Sequence, residues 1–483
     1  MWCAVVCVCQ GWSQTTEVFG VGARWLGAGG GGVAVVEDGT AASLNPAGLA
    51  RIRRPIAALG YLAARPDFKD SPSVWWDTNR DGVVDEADAP LQVEADPANV
   101  SGIEIAAGRN VGGKFGLGFM LYLPTRRIIE FSMFEPAVPR WWMWDNRLQR
   151  FSLALGVGGE VVRGVSVGVS ADVLARADVS VSMTLDAAAS PAVSTMSTEP
   201  VVTDIVVDVH EIVLDLTPAV APVVGVQLDF GRWTPALEGL VVGATWHGAL
   251  GLPIGVELDL QANVTLEDVG DLAPYTSAVV AQSELALYDH YVPPRVVAGI
   301  AYRRSGTLTT YADLRWTDWR SMTVNVAHVD SLTITAPLID LDDAVKDGNT
   351  LAVVFRRTVG FRMGAEVVLP RWEVGGRFDY VQVAGRGGAG FEPTPLVGQG
   401  PNSALLDANR SLYTLGAGVE TWDPLSLVNG PVRIDLFGQL HKIGGGTLNR
   451  ASDEPKAGSP VSGAGFPLVG TVVVAGGAWG FMY

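Results

Sequence analysis

Apolar and polar residues alternate with a period of two over about ten residues at a time, and this pattern constrains the fold more than any other feature of the chain. It is clearest in four segments: 254–264, 308–316, 371–380 and 432–441. In the second segment Leu308 and Leu314 lie on one face and Asp313 on the other. Successive side chains of a β-strand point to opposite faces, and about ten residues cross a bilayer when the strand is tilted. No comparably long stretch has the 3.6-residue period of an amphipathic helix, so the sequence predicts an all-β protein.

Three features favour a membrane barrel over a soluble sandwich, which shows the same alternation with its polar face outward. The polar faces carry both signs of charge, as expected where side chains pair across a wet lumen: Glu257, Asp259, Arg315, Arg371, Arg377, Asp379 and Arg433. The segments amount to roughly fourteen to sixteen strands, and sheets of that size usually close. The last strand sets three aromatic residues against three small ones: Trp479, Phe481 and Tyr483 against Gly476, Ala478 and Gly480. We therefore expect a transmembrane antiparallel β-barrel of about 14 strands, with a secreted multi-domain β-protein as the alternative.

Composition excludes several other classes of protein. The chain has 483 residues, of which 48% are hydrophobic and 18% charged, and its formal net charge is −17. No run reaches the roughly 18 apolar residues of a membrane-spanning helix, and the acidic balance removes the broad basic surface that nucleic-acid binding needs. The three cysteines are Cys3, Cys7 and Cys9. The rest of the chain therefore has no disulfide framework, thiolate metal site or cysteine nucleophile.

Residues 1–13 predict a truncated signal peptide. Trp2 to Cys9 form a short apolar run, and the small residues Gly11 and Ser13 suit cleavage after Ser13. The usual basic n-region is missing, and a buried N-terminal strand is the alternative. A signal peptide would take the mature protein out of the cytoplasm.

Short and long connections alternate along the body of the chain. Short glycine-containing links occur at 110–113, 158–164 and 305–306. Long polar or irregular stretches occur at 65–100, 124–147, 265–292, 320–349, 385–409 and 443–466. Membrane barrels have this asymmetry, with short periplasmic turns and long extracellular loops.

The insertion at 65–100 is acidic and contains a calcium-type loop, which we expect on the extracellular side. Its ligand positions are Asp77, Asn79, Asp81, Val83 (through the carbonyl), Asp85 and Asp88. Gly82 fills the position where such loops need glycine. Asp88 stands where a longer glutamate is usual, which predicts low affinity. We expect a structural calcium ion here and no required cofactor; an ordinary solvated acidic turn is the alternative.

Two motifs that resemble enzyme signatures are weak. Gly27 to Gly32 satisfies G-x-G-x-x-G, but it follows no strand and opens no clear helix. Gly164 to Gly168 satisfies G-x-S-x-G, but Ser166 lies in a continuous alternating segment rather than in a strand–turn–helix elbow. The five histidines are scattered, and we expect neither catalytic residues nor an enzyme.

The glycine-rich segment 19–49 carries a resemblance to a known family. It opens with Gly22-Ala23-Arg24, continues through the glycines of 27–32, and ends with Asn45-Pro46-Ala47. Glycine permits close backbone approach, which suits a compact coil inside a lumen. The segment resembles the N-terminal hatch of the outer-membrane long-chain fatty-acid and hydrophobic-compound transporters (FadL/TodX type). Weaker similarities to the same family follow in order at 118–131, 293–302, 311–319, 359–366, 407–410 and 415–416.

The resemblance implies a hatch at 14–54 inside a barrel formed by 55–483, located in the bacterial outer membrane. It implies passive uptake of long-chain fatty acids or other hydrophobic compounds, which bind near the hatch and leave sideways into the bilayer. Hatch and gating roles then fall to five residues: Gly27, Gly29, Asn45, Pro46 and Ala47. The implied partners are the ligand, outer-membrane lipids and, through the terminal aromatic strand, the barrel-assembly machinery.

Two rival functions remain. The first is a non-transporting scaffold or secretion accessory with the same barrel. The second is an outer-membrane hydrolase, which would need Ser166 beside a histidine and an acid.

The second long loop is unusually aromatic. Its candidate capture residues are Phe131, Phe134, Trp141, Trp142 and Trp144. Such a cluster on an outer loop suits the first capture of a hydrophobic ligand, because buried apolar area is worth about 25 cal/mol per Å². An interfacial aromatic girdle is the alternative, but adjacent Trp141 and Trp142 would face opposite ways in a strand.

Overall fold

A computed structural model describes residues 15–69, 74–76, 89–91, 99–126, 140–144, 150–190, 201–266, 275–304, 306–322, 328–335, 353–399, 405–425, 428, 430–448 and 466–482. For 74–76, 89–91, 251–290, 328–335 and most of 175–216 this description covers the backbone alone. The predicted signal peptide (1–13), the calcium loop (77–88), Phe131 and Phe134 lie outside the described residues.

Short helices occur at the N-terminus. They are α1 (Thr15–Val18), α2 (Ala23–Gly27), α3 (Ala41–Leu44) and a 3₁₀ helix at Pro46–Arg51. Further 3₁₀ helices lie at Phe230–Arg232, Pro235–Leu237 and Gly376–Phe378. In the described part of the chain no helix is both long and apolar enough to cross a membrane.

The strands fill the rest of the described chain. They are β1 (Ile56–Phe68), β2 (Val74–Trp76), β3 (Ala89–Leu91), β4 (Val100–Val111), β5 (Phe115–Pro124), β6 (Arg140–Trp141), β7 (Ser152–Val162), β8 (Val165–Ser190), β9 (Val201–Asp229), β10 (Leu240–His247), β11 (Leu250–Leu266), β12 (Tyr275–Val292), β13 (Arg295–Arg304), β14 (Leu308–Asp318), β15 (His328–Thr335), β16 (Val353–Phe355), β17 (Arg357–Val368), β18 (Trp372–Glu373), β19 (Tyr380–Glu392), β20 (Leu396–Gln399), β21 (Leu405–Leu406), β22 (Arg410–Trp422), β23 (Pro431–Leu448) and β24 (Phe466–Met482).

Fourteen of these strands close into an antiparallel barrel. The order around the barrel is β1, β4, β5, β7, β8, β9, β10, β13, β14, β17, β19, β22, β23 and β24. The first and last strands pair with each other, from Ile56 opposite Met482 to Phe68 opposite Gly470. Because β1 and β24 pair, the fourteen-stranded sheet has no unpaired edge strand. The expected all-β barrel of about 14 strands is therefore confirmed.

Alternation along the strands separates an apolar outer face from a polar inner one. In β14, Leu314 is 61% exposed on the outside, whereas the neighbouring Asp313 is 3% exposed and faces the hatch. The last strand behaves likewise, with Trp479 and Phe481 stacked on the outside at 5.2 Å between ring centroids. Strands at 308–316 and 432–441 are thereby confirmed, within β14 and β23.

The two ends of the barrel differ. One end has the short turns at 112–114, 163–164 and 305–307, together with the C-terminus; we call it the short-turn end. At the other, the long-loop end, the connections include 69–99, 125–151 and 449–465. This asymmetry agrees with the expectation from the sequence.

A second group of strands extends the long-loop end. β11 pairs in parallel with the outer half of β8, from Val256 opposite Val179 to Leu266 opposite Ala189. β12 then pairs with β11, and β15 with β12. The predicted strand at 254–264 is thus a strand, but it lies outside the closed barrel.

Some expectations about strands and loops were wrong. The segment 371–380 is not one continuous strand: after the two-residue β18, Gly375 and Gly376 adopt positive φ (70° and 71°), and Gly376–Phe378 form a 3₁₀ helix. Arg371, Arg377 and Asp379 therefore belong to a turn rather than to the lumen wall. The predicted long loops at 265–292, 385–409 and 443–466 contain regular structure: β12 and the ends of β19 and β23.

Candidate functional site

The hatch, residues 15–54, lies inside the barrel and takes its hydrogen bonds from the wall. Its short helices and turns pair only part of the backbone, and the other buried carbonyls need donors. Wall side chains supply them: Arg362 to Gly30 O and Val18 O, Gln439 to Phe19 O and Leu26 O, Gln227 to Val33 O and Val36 O, Tyr311 to Ala28 O and Thr414 to Gly27 O. The wall thus supplies donors to carbonyls that the short helices and turns of the hatch leave unpaired.

Wall carboxylates bind the amides of the same segment. Asp313 Oδ2 accepts from Gly32 N at 2.6 Å and from Val33 N at 3.3 Å. Glu104 Oε2 accepts from Gly22 N at 3.2 Å. Donors and acceptors on the wall therefore fix both the position and the direction of the hatch backbone.

Asn45, the first residue of the hatch motif, is fully buried and joins hatch to wall. Its Nδ2 donates to Val33 O at 2.7 Å and to Val226 O of β9 at 3.1 Å. Its Oδ1 accepts from Ala47 N at 3.1 Å and caps the 3₁₀ helix, in which Pro46 is the first residue. Pro46 suits that position because its missing N–H would be unpaired there anyway. Asn45, Pro46 and Ala47 are thus brought together, whereas Gly27 and Gly29 contact a different part of the wall.

We expect Asn45→Asp to destabilise the hatch more than its small change in shape suggests. Aspartate keeps the acceptor for Ala47 N but loses both donated bonds, and a buried unpaired acceptor costs about 1–3 kcal/mol. Hydrogen exchange of hatch amides would show the loss as faster exchange at Val33 to Ala47. Ser43→Ala, on the same segment, is the matched control. Unchanged exchange in Asn45→Asp would contradict the anchoring role of Asn45.

The barrel wall has glycines at several positions where the hatch backbone contacts it. A methyl group added to any of several wall glycines would lie well within 3.0 Å of hatch atoms: Gly116, Gly158, Gly168, Gly225, Gly243, Gly364 and Gly388. At Gly364 the atom met is the carbonyl oxygen of Ala28, and at Gly225 it is Oδ1 of Asn45. These glycines stand on β5, β7, β8, β9, β10, β17 and β19, so the hatch is seated against half of the wall's strands. We call them the glycine ring.

Ion pairs tie the hatch to the wall on the side of the short-turn end. Arg24 donates two hydrogen bonds to Glu366 of β17, at 2.5 and 3.0 Å. Glu37 pairs with Arg303 at 2.7 Å. Burial by itself would raise the pKa of Glu37, but Arg303 and Arg24 hold that pKa below its usual value. Glu37 is therefore ionised at neutral pH and stabilises both arginines.

A second ionic cluster lies between the hatch and the long-loop end. Glu392 accepts from Arg362 at 2.8 Å and from Arg315 at 3.2 Å, and it also pairs with Arg410. Glu17 of the hatch pairs with Arg295 at 3.5 Å. The lumen charges of both signs therefore do pair, as the alternating pattern predicted.

The tryptophans of the second long loop are buried against the hatch and the lumen wall. Trp141 packs on Phe68 with ring centroids 4.3 Å apart, and Trp144 lies 6.3 Å from Phe19 of the hatch. Trp142 belongs to a separate cluster with Trp319 and Phe355. All three are at most 3% exposed. They cover the hatch from the long-loop end, and their part in ligand capture stays a prediction.

Small cavities remain around the hatch. One of about 50 Å³ lies below Trp144, next to Arg315, Arg410 and Glu392. Another of about 80 Å³ lies between the hatch and the pair of strands that closes the barrel. A single water molecule needs about 10–15 Å³ of such cavity volume. Each cavity can therefore hold a few waters or part of a larger molecule.

The structure places the serine of the enzyme-like motif and tests for clusters of metal-binding side chains. Ser166 lies within β8, in extended backbone rather than in an elbow. No group of three or more histidine, cysteine, aspartate or glutamate side chains among the described residues could hold a metal ion. The residues that matter for hatch seating, such as Arg362, Gln227 and Gln439, were missed by motif analysis. A lone glutamine in an otherwise apolar strand, as at Gln227, is the signal that would have found one of them.

No protein-family model matches the chain, and no curated protein matches it. Among solved structures it is similar to a Pseudomonas aeruginosa FadL homologue, with a TM-score of 0.53 at 13% identity over 93% of this chain and 95% of that one. It is also similar to the CymD monoaromatic hydrocarbon channel (TM-score 0.47, 13% identity, 96% and 97% covered) and to the Ralstonia pickettii toluene transporter TbuX (0.46, 14%, 97% and 99%). Of these three likenesses, the first alone exceeds a TM-score of 0.5. The chain therefore has the fold of the FadL homologue, as the resemblance of its hatch segment predicted.

Proposed function

We propose that this protein is a passive transporter of hydrophobic compounds in a bacterial outer membrane. Long-chain fatty acids or other hydrophobic compounds would be captured at the long-loop end, bind near the hatch and pass sideways into the bilayer. The observation that carries the proposal is the seated hatch, because a plugged lumen prevents free flow of water while leaving cavities beside the plug, lined by both apolar and charged residues. The shared fold with a FadL homologue supports it.

The outer surface of the barrel supports the membrane location. Its strands expose large apolar side chains all around the barrel, among them Leu59, Leu117, Val169, Ile300, Leu314, Leu415 and Leu436. An apolar outer band is what a lipid bilayer requires of a barrel. The outward Trp479 and Phe481 of β24 suit recognition by the barrel-assembly machinery, which we propose as a partner.

The capture role that we assign to Phe131, Phe134, Trp141, Trp142 and Trp144 can be tested on the three tryptophans. Uptake of a fluorescent long-chain fatty acid into liposomes should fall severalfold when Trp141, Trp142 and Trp144 are changed to alanine. A ligand that enters between these rings on its way to the hatch would lose its apolar contacts with all three. Trp233→Ala at the short-turn end is the matched control. Equal uptake by the triple variant and the wild type would remove the capture site from this loop.

A scaffold or secretion accessory with the same barrel is the alternative, and one observation favours it. Charged groups lie close together inside the lumen: Glu392 forms ion pairs with Arg315, Arg362 and Arg410. A continuous apolar path would favour transport, and a polar closed lumen would favour a scaffold. Liposome uptake no faster than in protein-free liposomes would support the scaffold.

We also propose a structural calcium ion bound by Asp77, Asn79, Asp81, Val83, Asp85 and Asp88. The spacing of these oxygen ligands supports it. Calorimetric titration with calcium should show one weak site, which the double change Asp77→Ala and Asp81→Ala abolishes. The double change Asp67→Ala and Glu94→Ala, in the same insertion, should leave it intact. Absence of any binding heat at millimolar calcium would identify an ordinary acidic turn.

A further inference from the structure

The 80 Å³ cavity beside the hatch lies where the barrel closes. Its wall side comes from the first and last strands, with Ala58 and Gly60 of β1 facing Ala478 and Gly480 of β24. Trp25 of the hatch and Met120 of β5 add larger apolar surfaces. We call this space the closure cavity. The small side chains of β1 and β24 leave it open beside the hatch.

Glu104 of β4 lines this cavity, and one of its two carboxyl oxygens accepts no hydrogen bond from the described residues. The residue is 6% exposed, and its single hydrogen bond in the described chain goes from Gly22 N to Oε2. No basic side chain of the described residues forms an ion pair with it within 4.0 Å, although Arg24 and Arg433 also line the cavity. Its second carboxyl oxygen is therefore available to a molecule in the cavity.

The other charged groups of the closure cavity are already engaged. Asp38 accepts from Trp25 Nε1 and from Thr40 N, both at 3.0 Å. Asp435 pairs with Arg386 at 2.8 Å and with Arg433 at 3.0 Å. Arg24 forms an ion pair with Glu366. The site thus combines apolar walls with a single free acceptor.

We infer that the closure cavity binds the hydroxyl end of a hydrophobic alcohol, with the hydroxyl donating to the free oxygen of Glu104. The inference deepens the proposed function by naming a ligand class for a site beside the hatch, and it rests on that function. A hydroxyl pairs with the second oxygen of Glu104, which accepts no hydrogen bond from the described residues, and a buried oxygen is costly to leave unpaired. An alkane leaves that oxygen unpaired, and a carboxylate ligand would have to bring its own charge into a buried space. The volume suits a short alcohol or the end of a longer one.

Ligand-observed fluorine NMR on the purified full-length protein in detergent tests this directly. The probes are 6-fluoro-1-hexanol, 6-fluorohexanoate, 1-fluorohexane and 6-fluorohexylamine, which differ only in the polar end. We expect the alcohol to bind at least about tenfold more tightly than the carboxylate or the fluoroalkane, as one hydrogen bond to a charged or buried carboxyl implies. Tighter binding of the amine than of the alcohol would overturn the assignment in favour of a cation site.

Variants separate the role of Glu104 in binding from its role in holding Gly22. Glu104→Leu should abolish the preference for the alcohol, and Glu104→Gln, which keeps an acceptor oxygen, should retain part of it. Ala58→Leu should weaken all probes alike by filling the cavity, and Glu160→Gln at the short-turn end should change nothing. A tenfold preference that survives Glu104→Leu would overturn the inference.

The liposome uptake assay distinguishes failure of this inference from failure of the proposed function. Uptake of hydrophobic compounds without a preference for the alcohol would refute the hydroxyl site alone. Binding of the alcohol without any accelerated uptake would refute transport, and would leave a ligand site on a scaffold barrel.

Discussion

Adding a single methyl group to the wall, through Gly364→Ala, should loosen the hatch. The new Cβ would overlap the carbonyl oxygen of Ala28, and the hatch backbone has no room to retreat because Gly29 already touches Gly388 on the next strand. Overpacking of this kind costs about 1–3 kcal/mol, and more where backbone must move. We expect lower urea midpoints and faster cleavage of the hatch by trypsin at Arg24 or Arg51.

Gly385→Ala is the matched control for this change. Gly385 lies on β19 and meets no atom within 4 Å, so its added methyl should be neutral. A Gly364→Ala protein as stable and as protease-resistant as Gly385→Ala would show that the hatch is not seated against the glycine ring.

Arg362→Met should have the largest effect of any single charge removal. The guanidinium is 3% exposed and donates to Gly30 O at 2.6 Å, to Val18 O at 3.0 Å and to Glu392 at 2.8 Å. Its loss leaves two hatch carbonyls without donors and takes one of three arginines from the partly exposed carboxylate of Glu392. Each buried carbonyl left without a donor costs about 1–3 kcal/mol. We expect an unfolding transition at lower urea and raised single-channel conductance, because the loosened hatch would admit ions.

Arg371→Met provides the comparison for this prediction. Arg371 is also paired, with Glu420 at 3.2 Å, but its side chain is 56% exposed at the short-turn end. Exposed pairs are worth about 0–1 kcal/mol, so stability and conductance should hardly change. Equal effects of the two substitutions would contradict the role of Arg362 as an anchor of the hatch.

The barrel could be predicted from the sequence because its signal is local. Alternation at 308–316 and 432–441 specifies strands and assigns their two faces without knowledge of their partners. The same rule failed at 371–380, where Gly375 and Gly376 turn the chain within a segment whose pattern alternates. A period of two is necessary for such a strand, but turn glycines override it.

The hatch site could be predicted only in part because its contacts join distant parts of the chain. The motif Asn45-Pro46-Ala47 pointed to a hatch, yet the partner of Asn45 in the wall is Val226, 181 residues away. Which glycines form the glycine ring depends on strand register against the hatch, and composition alone cannot supply that. The tryptophans of the second loop were expected outside, but Trp144 packs against Phe19 of the hatch.

Transport past a seated hatch is the central claim, and one liposome measurement tests it most directly. Liposomes that contain the protein and an entrapped water-soluble dye are mixed with a fluorescent long-chain fatty acid and, separately, with a neutral hydrophobic compound. We expect at least one hydrophobic compound to enter faster than in protein-free liposomes while the dye is retained. Uptake no faster than in protein-free liposomes, or uptake only when the dye leaks, would contradict it.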